Sequence, residues 1–152
     1  SAEQKALAND AEEFRDIVKR EIWTAVDMVF GADESHQPTF RVENFMEIPA
    51  NGWDAWVAME TELAKPVHAK NIESGSRAGW VLTSLVMPRG QGLPYQASTL
   101  DFYDSWEQMN SDEGAAWATV HPKLTEAEIV KRIESTRTIM RSEVRMLVEY
   151  IE

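Results

Sequence analysis

An acid and an imidazole, the side-chain types that transfer protons near neutral pH, stand eight positions apart on one predicted helix of this 152-residue chain. His68 follows Lys65-Pro66-Val67 near the helix end, where an imidazole titrates close to physiological pH. The same position suits a plain C-terminal helix cap. Glu60 comes four residues after Trp56, on the apolar side of the helix, where a carboxylate needs a partner or a pocket; a solvated rim position is the ordinary alternative. Asn44 alternates inward with Val42 and Met46 on a predicted strand, and a buried amide must find partners in the protein or in a ligand. Held together in a partly apolar cleft, these groups define a candidate site. Glu60 would raise the basicity of His68, His68 would act as base, Trp56 and Trp80 would offer flat apolar contact, and Asn44 would lie deeper. Trp53, Trp106 and Trp117 could extend such a wall, although tryptophans at helical and strand spacing ordinarily belong to a core.

Other chemistries find no support. His36 and His121 lack ligand spacing with each other or with a local acid, and Asp101, Asp104 and Asp112 lack the glycine and terminal glutamate of a calcium loop. Neither a metal nor a cofactor is expected. No phosphate loop, nucleophile elbow or dinucleotide fingerprint occurs. The chain has no cysteine, and 26 acidic against 15 basic residues give a formal net charge of -11, which disfavours nucleic acid and anionic lipid as partners. Its longest uncharged apolar-rich stretch, residues 78–88, is too short to span a membrane. The chain starts at Ser1, consistent with a cytoplasmic protein trimmed of methionine or with one exported after signal-peptide removal.

These residues need elements to position them. Apolar residues from Leu7 to Val29 recur at three- and four-residue steps, predicting an amphipathic helix over about 2–30, with a polar linker from Gly31 to Thr39. A weak echo of residues 15–26 in residues 137–148 leaves open an extended conformation for 22–28. Residues 40–48 switch to a period of two, with Phe40, Val42, Asn44, Met46 and Ile48 on one face. Helical spacing returns from Trp53 and lasts until Gly75. Residues 77–87 predict a central strand, and residues 95–103 its antiparallel neighbour after a Pro/Gly loop. Ser105 with Gln108 and Thr125 with Glu128 have capping-box spacing and start two helical pieces separated at Pro122. The segment 141–151 fits helix and strand about equally; a strand there completes the order strand, helix, strand, strand, helix, strand.

The Glu60/Glu62 helix, Lys65-Pro66-Val67-His68, Gly75, Gly79-Trp80, the Pro/Gly loop and LDFYDS together resemble the dimeric α+β barrel superfamily, over roughly residues 40–105. Within it the chain resembles an uncharacterised bacterial group near the NIPSNAP, EthD-like and antibiotic-biosynthesis monooxygenase families. The resemblance implies an α+β, ferredoxin-like β-α-β-β-α-β domain over residues 40–152, preceded by an N-terminal helix and linker over 1–39. It implies a homodimer packed sheet against sheet, with a small-molecule pocket between sheet and helices. Members differ widely in chemistry. The implied function is small-molecule binding, as a cofactor-independent oxygenase or isomerase acting on a hydrophobic aromatic substrate; a non-catalytic ligand- or partner-binding module is the alternative. The strand asparagine, tryptophan and histidine used by some relatives are not carried over, because Trp80 and His68 stand on different elements from those in that pattern.

Overall fold

The computed structural model describes residues 19–148 apart from 34 and 91, and within these the chain forms an α+β fold. Strands β1 (Ile22–Phe30), β2 (Phe40–Glu47), β3 (Gly79–Met87), β4 (Ala97–Tyr103) and β5 (Thr138–Met146) make one sheet in the order β1-β3-β4-β2-β5. Every neighbouring pair is antiparallel. None of the described helices is long and apolar enough to cross a membrane.

The alternation read in β2 is realised. Phe40, Val42, Asn44 and Met46 stand opposite Tyr103, Asp101, Thr99 and Ala97 of β4, so these eight share one face. The helical crossover packs on that face. It comprises α1 (Trp53–Ala58), a π-helical segment (Met59–Ala64) and α2 (Lys65–Glu73). Trp56, Met59 and Leu63 from the crossover close a core with Met46, Trp80, Leu82 and Ala97 from the sheet. The widened turn also lets the helix run on through Pro66. A π turn already departs from the i→i−4 ladder that proline would interrupt, and the Lys65 N–H donates to the Glu60 carbonyl instead. At the far end Gly75, with φ 77°, closes a Schellman motif: its N–H donates to Ile72 O at 3.1 Å, and the Ser76 N–H to Asn71 O at 2.9 Å.

Three short helices return the chain from β4 to β5: α3 (Trp106–Met109), α4 (Gly114–Val120) and α5 (Glu126–Glu134). Thr125 and Glu128 form the complete capping box. Ser105 caps α3 through the Gln108 N–H, but the Gln108 side chain accepts from Asp104 N rather than from Ser105.

The expected helix over 2–30 is corrected where it can be followed. Residues 22–30 form edge strand β1, hydrogen-bonded along β3, and residues 1–18 lie outside the described ones. The misleading spacing has a physical origin. A bulge between Ala25 and Asp27 inserts one extra residue, which shifts the two-residue alternation and places apolar residues at 22, 25, 26 and 29. Composition favours the strand, since Ile22, Trp23, Thr24, Val26, Val29 and Phe30 are all β-branched or aromatic. The tail is a strand, as read, beginning at Thr138 rather than 141 and ending at Met146, with residues 149–152 outside the described ones.

The opposite face of the sheet is charged and aromatic. Across β2 and β5, Arg41 faces Arg145 and Glu43 faces Glu143, like against like. The charges are matched instead on the diagonal, where Arg145 reaches Glu43 at 3.3 Å, and along β5, where it reaches Glu143 at 2.5 Å. Arg141 lies over Phe45, and Trp23 and Tyr95 stack beside that ring.

Gly79 is required by its neighbour across the β1–β3 ladder: a Cβ there would lie 2.3 Å from the Phe30 ring. Gly79→Ala is therefore expected to destabilise the fold by about 1–3 kcal/mol in urea unfolding. Phe30→Ala combined with it should recover part of that loss, because the clash needs both side chains.

Candidate functional site

The layer between the crossover helix and the sheet holds a connected set of charged and polar side chains. At its centre is Arg77, two residues beyond the Schellman glycine, with its side chain only 3% exposed. Its Nη1 donates to Asp101 Oδ1 and, at 2.8 Å, to His68 Nδ1; its Nη2 donates to Glu113 Oε1. One guanidinium thus ties α2, β4 and the start of α4 together. Asp101 extends the set across the sheet, accepting from Asn44 Nδ2 at 3.1 Å, and Asn44 Oδ1 accepts from the Ser142 hydroxyl of β5 at 2.6 Å.

A second cationic group lies against the π segment. Arg137, just before β5, donates through Nη1 to Glu60 Oε1 at 2.6 Å, and Glu60 is 1% exposed. Burial pushes the Glu60 carboxyl up to about 7, against the opposing pull of Arg137 and with a push from Asp101 in the same direction. Burial likewise holds the Asp101 carboxyl above its ordinary value despite Arg77. The Tyr103 phenol is pushed up by burial and by Asp101. His68 moves the other way: burial, then Arg77 and Arg137, hold its imidazole well below the usual histidine range. Because Nδ1 accepts from Arg77, the neutral ring carries its proton on Nε2. The ring stacks on Trp80, with centroids 5.0 Å apart.

The five residues expected from sequence thus fall in one layer, with different partners. Glu60 and His68 both point into the layer, but each is held by its own arginine. Nothing in this arrangement raises the basicity of His68; the group that titrates near neutrality is Glu60. Trp56 and Trp80 are fully buried; the Trp56 indole N–H lies against the Glu60 carboxyl and helps to hold it charged, whereas that of Trp80 finds no partner among the described residues. Asn44 is a linker between Asp101 and Ser142. Of the other tryptophans, Trp53 and Trp106 are exposed.

Arg77, Glu113 and Arg137 are not singled out by the sequence, and Asp101 is weighed there only as a calcium-loop acid. Asp101 had a signal: it shares the inward phase of its strand with Ala97, Thr99 and Tyr103, where an acid is as unexpected as Asn44 is on β2. Arg77 and Arg137 each stand just before a strand, a position that does not distinguish a buried guanidinium from an exposed one.

No family model matches the chain, and no curated protein matches it.

Two predictions follow from the burial of these charges. Arg77→Met leaves Asp101 without its cation and should cost about 3–5 kcal/mol in denaturant unfolding. The second concerns pH. Glu60 holds its proton more tightly folded than unfolded, so its contribution to stability declines as pH rises from about 4.5 to about 7. His68 holds its proton less tightly folded, so its contribution is lost as pH falls below 6.5. The two slopes oppose each other in the native protein. Glu60→Gln should unmask a melting temperature that falls between pH 6.5 and pH 5, and His68→Gln one that rises over the same interval, as read by thermal unfolding.

Proposed function

We propose that the chain is a small-molecule-binding protein with a ferredoxin-like core of the dimeric α+β barrel kind. Its chemistry on this reading is a cofactor-independent proton transfer, as in an isomerase or oxygenase acting on a hydrophobic aromatic substrate. The fold part is supported by strand order. Strands β2 to β5, with a helical crossover after β2 and another after β4, follow β-α-β-β-α-β and lie in the all-antiparallel order β3-β4-β2-β5, with β1 added at the β3 edge. The homodimer is supported by the charged and aromatic face of the sheet, whose alternating Arg41, Glu43, Arg141, Glu143 and Arg145 can pair with their own copies about a two-fold axis.

The observation that carries the chemical reading is Glu60: a fully buried carboxyl on a π turn, titrating near 7 beside Arg137. Such a group takes a proton from a weakly acidic carbon or hydroxyl at neutral pH and can return it to another atom of the same substrate, which is an isomerisation. Arg137 stabilises the carboxylate before transfer. His68 contributes on this reading through Nε2–H, as a neutral donor to a substrate oxygen on which negative charge develops, and not as the base. Trp56 and Trp80 supply apolar and aromatic surface.

The non-catalytic binding module is favoured by a specific observation: five clefts among the described residues are lined by groups other than Glu60 and His68. Native mass spectrometry of the purified protein, followed by a panel of hydroxylated aromatic compounds, separates the two. Proton exchange or turnover of a bound aromatic that Glu60→Gln abolishes supports the enzyme; binding that Glu60→Gln leaves intact, without turnover, supports the module. For the dimer, sedimentation at micromolar concentration is expected to give twice the chain mass, and Val81→Glu, on the same face of the sheet beside Leu100, the monomer.

A further inference from the structure

The two edges of the sheet are finished differently. At β1 the edge is blunted: a bulge between Ala25 and Asp27 breaks its line, and the Asp27 carboxylate there accepts from the Met28 N–H at 2.8 Å and from Lys65 Nζ at 2.6 Å. At β5 the bulge falls near the start of the strand, where Ile139 and Arg141 stand opposite Met46 and Phe45, so residues 141–147 run on in regular register. Neither proline nor lysine interrupts this run. The Leu147 N–H donates to Thr39 O at 2.8 Å, which fixes the phase of the ladder. Odd-numbered residues therefore turn their backbone groups toward β2, while Ser142, Val144 and Met146 turn theirs to the outer edge, where no described strand pairs with them.

The side chains of this run are complementary to a second copy of themselves. Val144 and Met146 stand opposite Val42 and Phe40 on the helix side of the sheet, yet both are exposed. Arg141, Glu143 and Arg145 alternate on the other side. A two-fold axis through Val144 sets two antiparallel copies so that Val144 meets Val144, Ser142 meets Met146, and Glu143 meets Arg145 twice. Moving the axis to Glu143 sets Glu143 against Glu143 and Arg141 against Arg145, like against like. Moving it to Ser142 carries the pairing into the bulge. Charge and backbone thus favour one register, which spans the regular run from end to end. Within its own strand Glu143 has Arg141 at 3.1 Å and Arg145 at 2.5 Å; these contacts lie along the same alternating row and are kept when the copy is added.

We propose that the outer edge of β5 is an interaction surface for a second copy of this chain, added strand to strand about Val144 so that one antiparallel sheet runs through both copies. A single strand pair buries less than the roughly 1,000 Å² of a stable interface, so the contact is weak and forms at about 100 μM and above. It goes beyond the face-to-face dimer and does not depend on it, because Val144 lies on the helix side of the sheet, away from the charged face. The test is disulfide trapping of the full chain at such concentrations, and the absence of any native cysteine makes each introduced thiol the only one. Opposed residues of a hydrogen-bonded antiparallel pair have Cα atoms about 5.5 Å apart, within disulfide reach, so Val144→Cys should cross-link roughly tenfold faster than Met146→Cys, whose copies would lie about 13 Å apart. Both positions are exposed, so both variants fold. Adding Glu143→Lys to Val144→Cys should slow the cross-link several-fold, and exchanging the charges, Glu143→Lys with Arg145→Glu, should restore it. The cross-link is expected to persist when Val81→Glu is added, which separates this edge from the face. The proposal is overturned if Val144→Cys cross-links no faster than Met146→Cys, or if Glu143→Lys leaves its rate unchanged. It is equally overturned if the charge exchange fails to restore the rate or if Val81→Glu abolishes the cross-link.

Discussion

The buried guanidinium of Arg77 is the constraint around which the helix–sheet layer is arranged. An arginine withdrawn from water is tolerated only when carboxylates and acceptors surround it, and here they come from three directions: Asp101 on the sheet, His68 on the crossover helix and Glu113 at the start of α4. The consequence reaches past these partners. Arg77 takes the His68 Nδ1 lone pair, which settles the ring's tautomer, while its charge keeps the ring neutral. Asp101 is left to orient Asn44, and through it Ser142 on the edge strand.

Glu60 is placed by a different device. A regular α-helix from Trp53 to Glu73 would have to break or bend at Pro66; the π segment absorbs the proline and changes the angular position of the residues before it. Glu60 lies in that segment, against Arg137 and among Trp56, Met59 and Leu63. A carboxyl in such surroundings holds its proton to near neutrality because the one guanidinium beside it does not offset the loss of water.

The two faces of the sheet divide the remaining work. One is covered by the crossover and α5, and contains the core and both arginine clusters. The other carries interleaved arginines and glutamates with an aromatic group of Trp23, Phe45 and Tyr95. Both edge strands, β1 and β5, expose apolar side chains such as Met28, Phe30, Val144 and Met146.

Much of this was legible from sequence because it depends on local periodicity. The two-residue alternation of β2 placed Asn44 inward, the uncharged run identified β3, and Thr125 with Glu128 marked the start of α5, since each pattern is read out by the residue's own backbone geometry. The same reasoning failed at residues 22–30, where one bulge converts strand alternation into helical spacing and only pairing with β3 decides. It also brought Glu60 and His68 to the right layer while misjudging how they act together. Which arginine meets which acid is set by contacts between residues 24 to 77 positions apart, from Arg77–Asp101 to Arg137–Glu60. Side-chain type alone determined that the chain holds groups able to exchange a proton; the tertiary structure decided that Glu60, and not His68, titrates near neutrality, because desolvation and neighbouring charge are properties of the packed layer.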